Sequence, residues 1–222
     1  MAIRRLFSDW NKEELEATFG LERLETQPAL EHWLQATVGL EMDEVEKVVL
    51  ERLRRTLLNS VDTWNEAELS EYFIGPVLAL VDFNTRDFRI FSERTITGCV
   101  GEYELTGEPD AIIAKGRYSP QVPYFCFHEY KKANEPKGDP AAQALSAMLV
   151  ARELTQRHHP IYGLYVVGEH WHFMTLHNDA YCISKSFAAD DEEIFTIFYI
   201  LSALKAVITN LVCRVGDCKC NL

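Results

Sequence analysis

Apolar residues recur at two different periods along this chain, and the change comes near residue 86. Before it the spacing is helical. Residues 9–58 read as helix throughout: Asp9 caps a first segment with Glu13 and Glu14 in its opening turn, and Pro28 opens a second. A third helix over residues 42–58 carries Val45, Val48, Val49, Leu53 and Leu57 on one side. Its other side holds Glu44, Lys47, Glu51, Arg54 and Arg55, a solvated face. Thr63, with Glu66 three residues on, predicts a capping box for a further helix whose inward positions are Leu69, Phe73, Leu78 and Leu80, bent at Pro76.

From Arg86 onward alternation takes over. Phe88, Ile90 and Phe91 lead into Thr95-Ile96-Thr97, with turns permitted at Gly98 and Gly101. A strand over 105–113 carries Asp110, a turn-rich loop spans 116–123, and a mostly apolar strand over 124–131 ends in charge. The loop at 134–140, with two prolines and a glycine, sets up a helix at 141–156. Three strands follow at 161–167, 170–176 and 181–184, and Asp190 caps a last helix through Ile194, Ile197, Leu201, Leu204 and Ile208. This order predicts an α/β sandwich with a mixed central sheet flanked by helices. Residues 1–62 read as a helical N-terminal extension, 63–212 as the core and 213–222 as a cysteine-containing tail.

Chemistry concentrates at Pro109-Asp110 and Glu129-Tyr130-Lys131. Residues i and i+2 of a strand share a face roughly 6.5 Å apart, so Glu129 and Lys131 point together. If the strand carrying Asp110 lies alongside, two carboxylates and an ammonium converge. Carboxylates at close range repel unless a positive charge sits between them, and a divalent cation is the ordinary partner for oxygen ligands. The lysine then steadies a water or a phosphate oxygen. Taken alone, Asp110 is also an ordinary turn aspartate after proline, and Glu129 and Lys131 could sit on a strand end that has already left the core.

These residues resemble the PD-(D/E)XK nuclease superfamily, the restriction-endonuclease-like fold. The resemblance is carried by Gly107-Glu108-Pro109-Asp110, by residues 125–131 ending in Glu129-Tyr130-Lys131, by Gln143 in the following helix, and by an acidic helix over 64–76. It runs from about residue 64 to residue 185. It implies that Asp110 and Glu129 ligate Mg²⁺ or Mn²⁺, and that Lys131 stabilises charge on the scissile phosphate, holds the attacking water or acts as a base. Gln143 orients the lysine or the water. The first core helix contributes a third carboxylate, with Glu68 favoured over Glu66, which is occupied as a capping residue, and Glu71 as a further candidate. Some members that degrade DNA ends carry a tyrosine shortly after the helix glutamine; Ser146 and Ala147 stand there in this chain, so that substrate preference is not carried over.

Charge qualifies the expectation. A net charge of −12 argues against broad affinity for duplex DNA, which rests on many Lys and Arg side chains neutralising phosphates. Much of the acidic excess lies in 41–51 and 190–193, whereas Lys115, Arg117, Lys131, Lys132 and Lys137 gather around the candidate strands. The predicted partner is therefore nucleic acid, DNA first, bound locally, weakly or with help from a partner. Pairing of two copies to cut both strands is left open. Acidic charge and helical N-terminal sequence also suit a catalytically silent binding or assembly module on the same fold, or a defence or toxin-type effector held inactive by another chain.

Six cysteines are scattered through the 222 residues and read as free thiols. Cys218-Lys219-Cys220 lacks the spacing of a zinc knuckle. His170, His172 and His177 admit an imidazole metal site but read first as the polar face of a hairpin, and His128 as packed or hydrogen-bonded. With no basic, apolar leader and no apolar run of bilayer length, the expectation is a cytoplasmic protein without a membrane segment.

Overall fold

A computed structural model describes residues 2–134 and 138–217, the side chains of 214–217 excepted. The chain forms a mixed α/β structure with two sheets. The larger contains β2 (Glu22–Leu24), β10 (Ala180–Ile183), β9 (His170–His177), β8 (Ile161–Val167), β7 (Gln121–Lys131), β6 (Ala111–Lys115) and β3 (Arg89–Ser92) in that spatial order, with β11 (Phe187–Ala188) added to β9. It is mixed: β7 runs parallel to β8 and β2 parallel to β10, and the other pairs are antiparallel. The smaller sheet has β5 (Tyr103–Gly107) at its centre, flanked by β1 (Ile3–Leu6) and β4 (Ile96–Val100).

Helix α6 (Pro140–Leu154) lies between the two sheets, against β7 and β8 on one side and β4 and β5 on the other. Its sequence explains the position. Ala141, Ala142, Ala144, Leu145, Ala147 and Met148 through Ala151 are all buried, so no polar stripe is left for water, and a helix apolar all round belongs inside. Alanines keep it slender, and glycines on both facing strands admit it. A Cβ on Gly98 of β4 would stand 2.7 Å from Val150 Cγ1, and one on Gly163 of β8 would stand 2.6 Å from Met148 Sδ.

The opposite face of the large sheet is covered by α2 (Pro28–Gln35), α3 (Glu44–Ser60), α5 (Gly75–Val81) and α7 (Glu193–Asp217). Trp33 of α2 stands edge-on to Tyr162 and Phe173 and donates its indole N–H to Ile200 O at 2.7 Å. Over Glu193–Cys213, α7 is long and apolar enough to cross a membrane, with a mean hydropathy of 1.8, in contrast to the expectation of no such run. Half of that window is buried, and Ile194, Ile197, Leu201, Leu204 and Ile208 are packed into the protein's own core.

Several elements differ from the sequence expectation. Residues 9–58 hold α1 (Lys12–Phe19), α2 and α3, but β2 interrupts them and β1 precedes them. Both strands join sheets built by distant segments, so the first 62 residues are part of the common core rather than a helical appendage. The single strand expected over 105–113 is two, β5 and β6, with Asp110 in the break between them. The last helix begins at Glu193, whose N–H is accepted by Asp191 rather than by Asp190.

Near residue 65 the capping assignment shifts. Asn65, not Thr63, is the N-cap of α4 (Glu66–Leu69): Asn65 Oδ1 accepts from Glu68 N at 2.9 Å, and Glu68 Oε2 accepts from Asn65 N at 2.8 Å. A π turn over Ser70–Ile74 then joins α4 to α5. Gly75 N–H reaches Ser70 O, five residues back. The wide turn falls immediately before Pro76, which has no N–H to continue the ordinary ladder.

Candidate functional site

The ladder between β6 and β7 sets the site. Ala111 faces His128, Ile112 faces Phe127 and Ile113 faces Cys126. Asp110, one residue outside this ladder, therefore stands opposite Glu129. Its Oδ2 accepts the Tyr130 N–H at 2.5 Å, which ties the β5–β6 break to the end of β7. Alternation puts Phe127, Glu129 and Lys131 on the α6 side of the sheet and sends His128 and Tyr130 through to the other. There His128 Nδ1 and Tyr130 Oη lie 2.8 Å apart. Burial holds the His128 imidazole neutral, with its pKa brought down to about 3.

Both charged side chains of the motif are buried. Glu129 is 7% exposed and Lys131 is 8% exposed, and Lys131 Nζ donates to Glu129 Oε1 at 2.7 Å. The strand has therefore not left the core where its charges begin, and burying charges is tolerable only because they are paired. Glu66 Oε2 lies 3.9 Å from Lys131 Nζ. The helix carboxylate beside the lysine is thus Glu66, while Glu68 is held in the Asn65 capping box, the reverse of the assignment read from sequence. A two-residue shift of the cap, from Thr63 to Asn65, puts Glu68 in the capping box and leaves Glu66 to approach the sheet.

The electrostatics follow from this packing. Burial raises the Asp110 pKa to about 6, against the lowering effects of the Tyr130 N–H and Lys131. Burial, then repulsion from Asp110, raises Glu129 to about 7 despite Lys131. Burial alone would lower Lys131, but Glu129, Glu66 and Asp110 outweigh it and leave the ammonium favoured. Two acids poised near neutrality beside one ammonium are short of positive charge.

Two cavities adjoin the cluster. One of about 280 Å³ is lined by Glu66, Ser70, Ser92, Glu93, Asp110 and Tyr130. The other, of about 420 Å³, is lined on different sides by Glu129, Gln143, Glu108, Thr95, Phe7 and Arg4. Gln143 thus shares a cavity with Glu129, in the first turns of α6 after the Asp139 N-cap. Gly138, at a φ of +76° that favours glycine, brings the preceding loop against the Gln143 amide: a Cβ there would stand 2.8 Å from its Nε2. Asp110 and Glu129 open onto separate cavities, with Lys131 paired to Glu129 and near Glu66. Sequence reasoning passed over Ser70, Ser92, Glu93 and Arg4, which have no motif to mark them.

Among the described residues, no three His, Cys, Asp or Glu side chains are gathered as a ready-made metal cage. The donor chemistry still fits a hard cation. Asp110, Glu129 and Glu66 carry oxygen donors of the kind a hard cation takes, and a divalent ion would relieve the repulsion that helps hold Asp110 and Glu129 above the usual carboxylate range. The histidines do not form a centre: His170 is exposed, and His172 stacks on Tyr165 with centroids 4.5 Å apart. Cys99, Cys126, Cys182 and Cys213 are free thiols, whereas Cys218, Cys220 and Lys137 lie outside the described residues. Compared with protein-family models and with curated proteins, the sequence matches none.

Proposed function

We propose that the chain is a divalent-metal-dependent nuclease on a restriction-endonuclease-like sandwich, hydrolysing phosphodiester bonds of DNA. The observation that carries this reading is the convergence of Asp110, Glu129 and Lys131 where β6 begins and β7 ends, with Glu66 alongside. Asp110, Glu129 and Glu66 are the residues to hold Mg²⁺ or Mn²⁺. When bound, such an ion supplies an activated water and neutralises charge on the phosphate.

The chain's own side chains do the rest. Lys131, kept protonated by its acidic neighbours, offers a pre-positioned ammonium to a developing negative charge, which lowers the barrier without reorganisation. Binding of a cation would also free Lys131 from its 2.7 Å pairing with Glu129 to face substrate. Gln143, which lines the larger cavity together with Glu129, would orient a water there. Tyr130 acts only through its backbone N–H, which aims the Asp110 carboxylate.

The same pairing favours a second reading. A Lys131–Glu129 contact already satisfied at 2.7 Å is also what a catalytically silent binding module would retain. Calorimetric titration with Mn²⁺ and cleavage assays on single- and double-stranded DNA and RNA decide between them. The nuclease reading expects metal binding and cleavage in wild type, and loss of both in Asp110→Asn and Glu129→Gln. Absence of cleavage in wild type with Mg²⁺ and with Mn²⁺ favours the module.

A further inference from the structure

We infer that a basic patch at the far end of the β3–β6 edge holds the phosphate backbone of a nucleic acid; its orientation towards a cut site rests on the nuclease reading, but binding at the patch does not. Arg86, Arg89, Lys115 and Arg117 line one cavity of about 360 Å³, with Asp87 as the only acid among the lining residues. On a chain of net charge −12 such a concentration of one sign stands apart.

The patch is built by the fold rather than by sequence proximity. Arg89 pairs with Ala114 across the β3–β6 ladder, which puts it next to Lys115 at the strand end. Arg86 precedes β3 on a turn closed by Thr85, whose N–H and hydroxyl both donate to Phe88 O. Arg117 follows β6 in the turn to β7. Among the described residues, none of the four lies within ion-pair distance of a carboxylate. Unpaired cations on an acidic protein attract a polyanion locally, where global charge would repel it.

Tyr118, 82% exposed beside Arg117, gives the patch an aromatic face at its rim. Cations with an exposed ring are the equipment for following a backbone and stacking an unpaired base. The spacing to the acidic cluster suits one ligand spanning both. Lys115 and Asp110 are at opposite ends of β6, roughly 17 Å apart at strand rise, which is about five phosphate steps of a duplex strand.

The test is fluorescence anisotropy of the full chain with a short labelled single strand and a duplex of the same length, in Ca²⁺, across salt from about 0.05 to 0.2 M. Arg86→Ala with Arg117→Ala is expected to weaken binding about tenfold and to reduce the salt slope by about 1 to 2. Arg52→Ala with Arg55→Ala, exposed positions on α3, removes the same charge and is expected to change affinity less than about twofold. Tyr118→Ala should weaken the single strand alone. Equal behaviour of the patch and α3 variants, or no binding by wild type, overturns the inference. Patch-dependent binding without cleavage in Mg²⁺ or Mn²⁺ retains the patch and discards the nuclease; cleavage with a KM indifferent to the patch variant does the reverse.

Discussion

Replacing Asp110 by Asn should make the metal-free protein more stable above neutral pH while removing its capacity for metal. Asn keeps an oxygen for the Tyr130 N–H and nearly the same shape, so the principal change is loss of a buried negative charge next to Glu129. Burial lifts the Asp110 pKa from 3.8 to about 6. A raised folded-state pKa means that Asp110's contribution is fully favourable below its unfolded value near 3.8 and is lost as pH rises through 6. At pH 8 the charged carboxylate costs about 3 kcal/mol, from a shift of roughly two units at 1.36 kcal/mol each. Urea denaturation in EDTA should therefore show Asp110→Asn equal to wild type near pH 4 and more stable by about 2–3 kcal/mol at pH 8. Adding Mn²⁺ at roughly a hundred times its Kd should return about 2.7 kcal/mol to wild type and nothing to the variant. A variant no more stable than wild type at pH 8 would refute the claim that this carboxylate is held charged against its surroundings.

Lys131→Met leaves Glu129 buried without its cation and should cost about 3–5 kcal/mol by chemical denaturation at pH 8, with the deficit shrinking at pH 5 as the glutamate protonates. Glu66→Gln should weaken metal binding with little change in stability. Glu68→Ala, by contrast, should cost only about 0.5–1 kcal/mol, through loss of the Asn65 N–H contact to the Glu68 carboxylate, and leave calorimetric metal affinity unchanged. Gly98→Ala drives a Cβ against the stiff Val150 side chain and should cost about 1–3 kcal/mol, more than Gly163→Ala, whose Met148 neighbour has the freedom to turn aside; thermal melts of the pair test the order.

The central sheet and its principal helix were legible because their signals are local. Alternation over residues 124–131 put Glu129 and Lys131 on one face, and the run after Pro140 predicted a helix, whose place between two sheets only the structure shows. The convergence with Asp110 needed just one long-range guess, that its segment lies beside β7. What escaped had no local signature. Ile3-Arg4-Arg5-Leu6 and Glu22-Arg23-Leu24 are short and charged, and they become strands because β5 and β10 offer open edges. The choice of Asn65 over Thr63 as cap is a contest between two good capping residues two positions apart, and it decides whether Glu66 or Glu68 approaches Lys131. A bend at Pro76 was legible, but its form, a π turn over Ser70–Ile74 with Gly75 N–H on Ser70 O, was not.

Both parallel pairings of the N-terminal strands have a cost during synthesis. Residues 22–24 find their neighbours only at 180–182, and Trp33 finds its acceptor only at Ile200. At about 5–20 residues per second, a ribosome takes roughly 8 to 30 s to deliver that partner strand. For that interval the emerging chain carries a bare indole and an unmatched strand, and this corner of the sheet closes only once residues 180–200 have been made.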